Sequence, residues 1–328
     1  MLKAVVVGAG NMGKNHVRNY SVLPGVELAG LADVNPNAEA LAKEFKCKFF
    51  TDYQEMFDAI KPDIVSIVVP TPFHAQVAMN AMNRGIHCLV EKPIASTVAE
   101  ADQMIACAKK NKVVFTVGHI ERYNPLIKKL KKVIDAGKIG DVTSIVCRRV
   151  GGFPQMEPKT DVIIDLAVHD IDIVNYILGQ RPKKIVSHGS RTHHSQKIDS
   201  AEILMDYGRA SGFVQANWLT PVKIRTISVT GSQGYIEGNY ITQELAYYKH
   251  NMQKVKDDFA NFVTDMGKLE QEAIAVDFEE PLASELKGFI AAVKGNPEKC
   301  LVQADDAKEA LRIALDAVEP FNHEGKGK

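Results

Sequence analysis

The sequence predicts an α/β fold in two parts: a doubly wound parallel sheet over residues 1–120, then an α+β domain with an open mixed or antiparallel sheet over residues 121–328. Three observations predict it. Up to about His119, short β-branched runs alternate with helical patterns. Beyond it, strand-like runs follow one another with little helix between them. The chain of 328 residues is long enough for two cores at roughly 150 residues per domain.

In order, AVVVG precedes a helix from about Met12, ELAGLAD a helix from Pro36, DIVSIVV a helix from Phe73 and HCLVE a helix from about Thr97; VVFTVG ends the series. Such continuous apolar strands are buried on both faces, as in a parallel sheet with helices on each side. After GHIERYNP the pattern changes. A basic amphipathic helix (Pro125–Ala136) leads to a strand (Asp141–Val150), a Gly/Pro loop (Gly151–Lys159) and an apolar helix (about Asp161–Leu178). KKIVSHGSR, SAEILMDY, SGFVQANWL, RTISVTGSQGYIEGNY and LAYYKH then read as strands, punctuated by Tyr207-Gly208 and Gly231-Ser232-Gln233-Gly234. Strands in succession imply an antiparallel or mixed sheet. Residues 251–280 are charged and weakly patterned, and helices at about Pro281–Lys294 and Asp305–Val318 close the chain.

Forty Lys and Arg balance forty Asp and Glu without a block of one sign, which argues against nucleic acid or an anionic membrane as the main partner. A small-molecule ligand fits better. Five scattered cysteines, with no CxxC pair, indicate neither a disulfide framework nor a zinc site, and no metal is expected. The amino-terminal apolar run is short and carries no cleavage-type site, and no run approaches membrane-spanning length. A soluble, cytoplasmic protein is therefore expected.

Gly8-Ala9-Gly10-Asn11-Met12-Gly13 lies between the first strand and the first helix, and Asp33 ends the second strand about twenty residues further on. A GxGxxG alone is weak evidence; in this context it reads as a dinucleotide site of the Rossmann type. Gly8 makes the tight turn, Gly10 lets backbone approach a pyrophosphate, Gly13 lets helix and strand pack, and the helix N-terminus offers N–H groups to phosphate. Asp33 can accept both ribose hydroxyls and would repel a 2′-phosphate, which favours NAD over NADP. Pro70, Thr71 and His74, in VVPTPFHAQ at the exit of the third predicted strand, are assigned to the same crevice.

In HCLVEKPIAS an apolar strand ends in Glu91-Lys92-Pro93. Pro93 disfavours the helical region for Lys92 and so aims its side chain from an extended backbone. Lys92 can stabilise developing charge on a substrate oxygen, with Glu91 as its electrostatic orienter; both are assigned to the cofactor crevice as well. In DVIIDLAVHDIDIVNYILG, Asp165, His169 and Asp172 recur at i, i+4 and i+7 on an otherwise apolar helix, so they share a face. Taking a hydride from a secondary alcohol requires the hydroxyl proton to leave as well. With NAD as hydride acceptor, His169 takes that proton and Asp165 orients it.

With GAGNMG, Asp33, Glu91-Lys92-Pro93 and Asp165-x-x-x-His169 in this order, the chain resembles, over essentially its whole length, the glucose-fructose oxidoreductase / inositol dehydrogenase / MocA family. The resemblance implies that Lys92 and His169 are the catalytic pair, assisted by Asp165, and that the second domain carries the substrate site. It also implies self-association as a homodimer or homotetramer through the C-terminal sheet. VGHIERYNP (117–125), RRVGGFP (148–154) and IIDLAVHDIDIVNYILG (163–179) are similar to the sugar-nucleotide branch, notably the UDP-N-acetylglucosamine 3-dehydrogenases. Gly152 stands where many members of that branch have proline. The implied reaction is oxidation of the sugar 3-hydroxyl to a 3-keto sugar.

Arg122, Arg148 and Arg149 are suited to a diphosphate. If residues 148–149 are in a strand, these two arginines point to opposite faces, and Arg149 is the one assigned to the site. Glu121, Tyr123 and Asn124 could bind sugar hydroxyls or cap the following helix; Trp218 reads as core or interface. A free sugar or cyclitol dehydrogenase and a non-catalytic NAD-binding sensor are the alternatives.

Overall fold

A computed structural model of the chain describes residues 1–155, 158–193, 196–250, 253–256, 262–265 and 270–322. The first strands and helices run β1 (Leu2–Val7), α1 (Asn11–Val22), β2 (Val26–Ala32), α2 (Glu39–Glu44), β3 (Lys48–Phe50), α3 (Tyr53–Ile60), β4 (Ile64–Ile67), α4 (His74–Asn83), β5 (His87–Glu91), α5 (Val98–Asn111) and β6 (Phe115–Gly118). They are followed by α6 (Pro125–Asp135), β7 (Val142–Val150), a π-helical turn (Ile163–Ala167) and α7 (Val168–Leu178). Then come β8 (Lys184–Ser190), β9 (Ser200–Asp206), β10 (Ser211–Asn217), β11 (Ile224–Gly231), β12 (Gly234–Asn239) and β13 (Glu244–Lys249). β14 (Gln253–Lys256), β15 (Phe262–Asp265), β16 (Gln271–Ile274), α8 (Pro281–Val293) and α9 (Ala304–Val318) complete the order.

The first sheet is parallel, in the order β3-β2-β1-β4-β5-β6. This is the predicted doubly wound arrangement, with the strand order of a dinucleotide-binding fold. Its central strands are apolar throughout because both faces are covered: Val5, Val6, Ile64, Val65, Leu89 and Val90 are fully buried. β3 and α3 extend the sheet beyond the five strands read from sequence, since a three-residue strand leaves almost no periodicity to detect. Caps set the helix starts: Thr97 accepts from the backbone of Glu100 while Glu100 reaches back to the backbone of Thr97, a reciprocal box worth about 1 kcal/mol.

The first compact unit comprises residues 1–123 together with 279–312, whereas the sequence division placed everything after 120 in the second domain. The reason lies on α8. Leu282, Leu286 and Phe289 recur at helical spacing and belong to the same buried cluster as Ala4, Val6, Val17, Leu31 and Leu89. A helix that follows residues 124–278 in sequence thus completes the core of the first unit.

The second compact unit holds an eight-stranded mixed sheet, β16-β13-β12-β11-β7-β10-β9-β8, in which β7 and β10 are parallel and the other pairs antiparallel. Alternate residues face a core: Ile145, Cys147, Ile203, Met205, Val214, Val229 and Ile236 are fully buried. On the opposite face the registers align Val186, Leu204, Phe213 and Val146 in one cross-strand row. Val186 and Leu204 in that row are 52% and 47% exposed. Of the segment 251–280, β14 pairs with β15 and β16 joins the large sheet, while residues 251, 252, 257–261 and 266–269 lie outside the described residues.

Candidate active site

In the first unit, the β1–α1 turn forms as its glycines require. Gly8 has φ +104°, and a Cβ there would stand 2.5 Å from the Val68 carbonyl oxygen. A Cβ on Gly13 would stand 2.0 Å from the carbonyl oxygen of Gly8, so helix and turn are in direct contact at that point. Gly10 faces open space and caps α1 without a side-chain hydrogen bond, leaving the first-turn N–H groups without a side-chain cap. Asp33 braces this turn: one carboxylate oxygen accepts from the Ala9 N–H at 2.6 Å, the other from the Asn35 N–H at 2.8 Å.

A cavity of about 530 Å³ opens at this carboxyl edge of the sheet, lined in part by Gly8, Gly10, Asp33, Pro70, Thr51 and Gln76. Its donor set and shape fit a dinucleotide: uncapped helix N–H groups for phosphate, an acidic group for ribose, and apolar walls from Val34, Val68 and Phe73. Thr51, Tyr53, Phe73 and Gln76 were not legible as lining residues. Thr51 and Tyr53 follow the undetected β3, and the rule that ligands gather at strand ends would have found them had that strand been seen.

Glu91 closes β5 one strand away from β4, and Lys92 leaves the same edge. The Lys92–Pro93 bond is cis. Lys92 is half-buried; Pro93, Ile94 and Ala95 behind it are buried. Glu91 is buried and faces inward rather than into the dinucleotide cavity: Oε1 lies 3.2 Å from His16 Nε2, and Oε2 accepts the Lys92 N–H at 3.1 Å. Burial alone would raise its pKa. The hydrogen bond and charge of His16, the charge of Lys92 and the Lys92 N–H outweigh burial and hold it below its ordinary value of 4.5.

His74, assigned from sequence to the cofactor, is instead buried with both ring nitrogens against backbone carbonyls, Nδ1 at 2.9 Å from Pro93 O and Nε2 at 2.9 Å from Val69 O. Burial pulls its pKa below the ordinary 6.5, with the two carbonyls pulling the other way. Its contacts tie the exit of β4 to the Lys92–Pro93 turn. Met12 and Thr71 are half-buried and Asn11 is exposed beside the same turns.

In the second unit, the helix carrying Asp165 and His169 is not uniform. Ile163–Ala167 form a π turn, and regular α-helix begins only at Val168. The expected single stripe of Asp165, His169 and Asp172 presumed α spacing throughout; the π turn interrupts it, as such turns often do at functional sites. Asp165 and His169 are half-buried and accessible, whereas Asp172 is 1% exposed.

The arginines are the principal correction. Arg149 is buried and bonds both oxygens of the buried Asp170, Nε to Oδ2 at 2.8 Å and Nη2 to Oδ1 at 2.9 Å, with its guanidinium also over the Tyr240 ring. Its geometry is that of a core ion pair, not of a diphosphate ligand. Arg122, also buried, donates to Leu301 O and to Asp306 within the first unit. Tyr123 is buried, its hydroxyl accepting the Leu301 N–H, and Asn124 caps α6 through the Leu126 N–H. Glu121 is half-buried on the preceding turn. Arg148 lies exposed in β7, hydrogen-bonded to Gln215. Trp218 is buried, edge-on to Phe153 at 6.0 Å.

A doubly wound sheet with a glycine-turn cavity, an acidic group at the end of β2 and a lysine at a neighbouring strand end fits an NAD-binding oxidoreductase. Two comparisons narrow this. Residues 2–119 match a family model described as an oxidoreductase family with NAD-binding Rossmann fold, and residues 127–237 match the GFO/IDH/MocA C-terminal domain. The chain belongs to the glucose-fructose oxidoreductase / inositol dehydrogenase / MocA family, NAD-dependent oxidoreductases acting on CH–OH groups.

Among its relatives is a UDP-N-acetylglucosamine 3-dehydrogenase of Acidithiobacillus ferrooxidans, 28% identical over 326 residues and 98% of both chains. A solved structure of that enzyme superposes with a TM-score of 0.84, at 27% identity and 98% coverage of each chain. A scyllo-inositol 2-dehydrogenase (NAD(+)) of Bacillus subtilis is 26% identical over 98% of this chain and 94% of its own. Among the described residues no cluster of His, Cys, Asp or Glu could hold a metal ion, and no helix is long and apolar enough to cross a membrane.

Proposed function

We propose that this protein oxidises the 3-hydroxyl of a UDP-N-acetylglucosamine-type sugar nucleotide to the 3-keto sugar, in the cytoplasm. The observation that carries this reading is the likeness to the Acidithiobacillus enzyme over nearly the whole of both chains. Bound NAD supplies the hydride acceptor; Gly8, Gly10, Gly13 and Asp33 hold it. Lys92 hydrogen-bonds the reacting oxygen and stabilises charge that develops there, and its fixed, half-buried station limits the positions its ammonium can take. His169 accepts the hydroxyl proton and Asp165 orients its ring.

One observation favours a second reading, a free sugar or cyclitol dehydrogenase. Arg122 and Arg149 are committed to Asp306 and Asp170, and Arg148 to Gln215, so none of the three presents a guanidinium held ready for a diphosphate. NADH formation with UDP-N-acetylglucosamine, myo-inositol and free hexoses separates the readings. Turnover of the nucleotide sugar is expected; turnover of the free polyols alone overturns it.

Self-association through the large sheet, as a homodimer or homotetramer, belongs to the same proposal. Its support is the apolar row of exposed Val186 and Leu204 and half-buried Phe213 and Val146, which a second sheet would cover.

A further inference from the structure

Behind Lys92 lies a chain of buried polar groups that neither the cofactor site nor the proposed proton transfer uses. Tyr20 and His16 come from α1, Ser66 from β4 and Glu91 from the end of β5. Tyr20 Oη lies 2.9 Å from Ser66 Oγ, Ser66 Oγ 3.0 Å from His16 Nδ1, and His16 Nε2 3.2 Å from Glu91 Oε1. His16 and Ser66 are both 0% exposed. An ionised carboxylate only accepts, so His16 donates from Nε2 to Glu91, with Nδ1 held against the Ser66 hydroxyl. The other oxygen of Glu91 takes the backbone N–H of Lys92, so this row ends on the main chain of the lysine itself. Gly118 leaves room for it: a Cβ there would stand 3.0 Å from the Glu91 carboxyl carbon.

A second histidine grips the turn from the other side. His74, on α4, reaches Pro93 O with Nδ1, while Nε2 lies against Val69 O two residues beyond β4. Glu91-Lys92-Pro93 is therefore fastened at the residue before the lysine and at the residue after it.

We propose that His16 and His74 are positioning residues for Lys92: His16 acts through Glu91 and His74 through the Pro93 carbonyl, and together they hold the lysine's backbone at a fixed station. α1, which carries His16, also presents its N-terminus to the dinucleotide cavity. The same helix thus sets the positions of cofactor and lysine. The inference rests on the reading of Lys92 as catalytic. Without these anchors, the lysine would still be present but spread over several positions, and misplacement of a reacting group by about 1 Å costs on the order of a hundredfold in rate.

The test uses His16→Gln and His16→Asn in the full-length protein. The Gln amide nitrogen reaches the place of Nε2 and can still donate to Glu91; the Asn side chain reaches only the place of Nδ1, toward Ser66. Two quantities are read: hydrogen exchange of the 87–96 segment against that of β1, and kcat with saturating NAD on whichever of UDP-N-acetylglucosamine or myo-inositol is oxidised faster. His16→Asn is expected to speed exchange of the 87–96 segment by about tenfold with β1 unchanged. Its kcat is expected to fall about 10- to 100-fold, with the NAD Kd within about threefold of the wild type. His16→Gln should recover most of both, and His74→Leu should resemble His16→Asn.

If Gln and Asn behave alike, or if exchange rises equally in β1, His16 is only a core residue and the inference fails. Lys92→Ala separates the two layers. Should it leave kcat unchanged, the catalytic reading of Lys92 falls, whereas the exchange data still report whether His16 holds the turn.

Discussion

Lys92 and His169 carry the chemistry proposed here, and each makes a separable prediction. Replacing either with alanine is expected to lower kcat by about 10²- to 10⁴-fold while NAD binding, followed by fluorescence titration, stays largely intact. Asp33→Ala should weaken NAD and narrow the preference over NADP, measured in the same titration; an unchanged preference would remove Asp33 from ribose recognition. Arg149 belongs to the core. Truncation to alanine leaves Asp170 charged and buried, which should cost about 3–5 kcal/mol in denaturant unfolding.

Glu285 on α8 adds a pH dependence. It is 1% exposed, its carboxyl oxygens find no hydrogen-bond partner among the described residues, and burial first, then the charges of Glu91 and Cys300, raise its pKa well above 4.5. The folded state keeps this proton where the unfolded state releases it, so this group's contribution to stability is greatest below pH 4.5 and declines as pH rises toward its folded value. Glu285→Gln is therefore expected to raise Tm more at about pH 8 than at about pH 5 by calorimetry. Equal shifts at both would mean that Glu285 does not titrate in this way. The glycine turn and the strand-end placement of Asp33 and Lys92 were legible because local spacing announces them. The partners of Arg149 and Arg122, and the acidic neighbour of Glu285, were not, because Asp170, Asp306 and Glu91 come near them only through the tertiary fold.

At the scale of elements, strand–helix alternation was enough to read most of the parallel sheet, and the helix boundaries fell within a few residues of the caps. Two features escaped. β3 is three residues long, too short for a period, and with it went the Thr51–Tyr53 wall of the cavity. The π turn at Ile163–Ala167 escaped because its residues are as apolar as those of an ordinary buried helix; nothing in composition distinguishes five-residue from four-residue spacing over a single turn. The glycine turn gives this scale its own prediction. Gly13→Ala places a methyl 2.0 Å from the Gly8 carbonyl oxygen, so α1 must shift, and NAD affinity should fall along with Tm. A variant with normal NAD binding would show that the turn is more pliant than its contacts imply.

At the scale of the whole molecule, the proposed self-association is tested by light scattering. Leu204→Glu puts a charge into the middle of the apolar row between Val186 and Phe213, and should shift the protein to a smaller assembly with its secondary structure intact. An unchanged mass would move the contact elsewhere. The course of the chain carries a different consequence. Leu282, Leu286 and Phe289 complete the core that Val6, Val17 and Leu89 begin. During synthesis, the first unit leaves the ribosome with an apolar seam open and waits through residues 124–278 before α8 arrives to close it. Residues 124–278 are in effect a long insertion into the first unit, and from residue 313 the chain returns to the second. A truncated chain ending near Tyr123 would expose that seam to solvent, and chaperones that shield nascent apolar surface would meet this protein early and hold it until its last helices emerge.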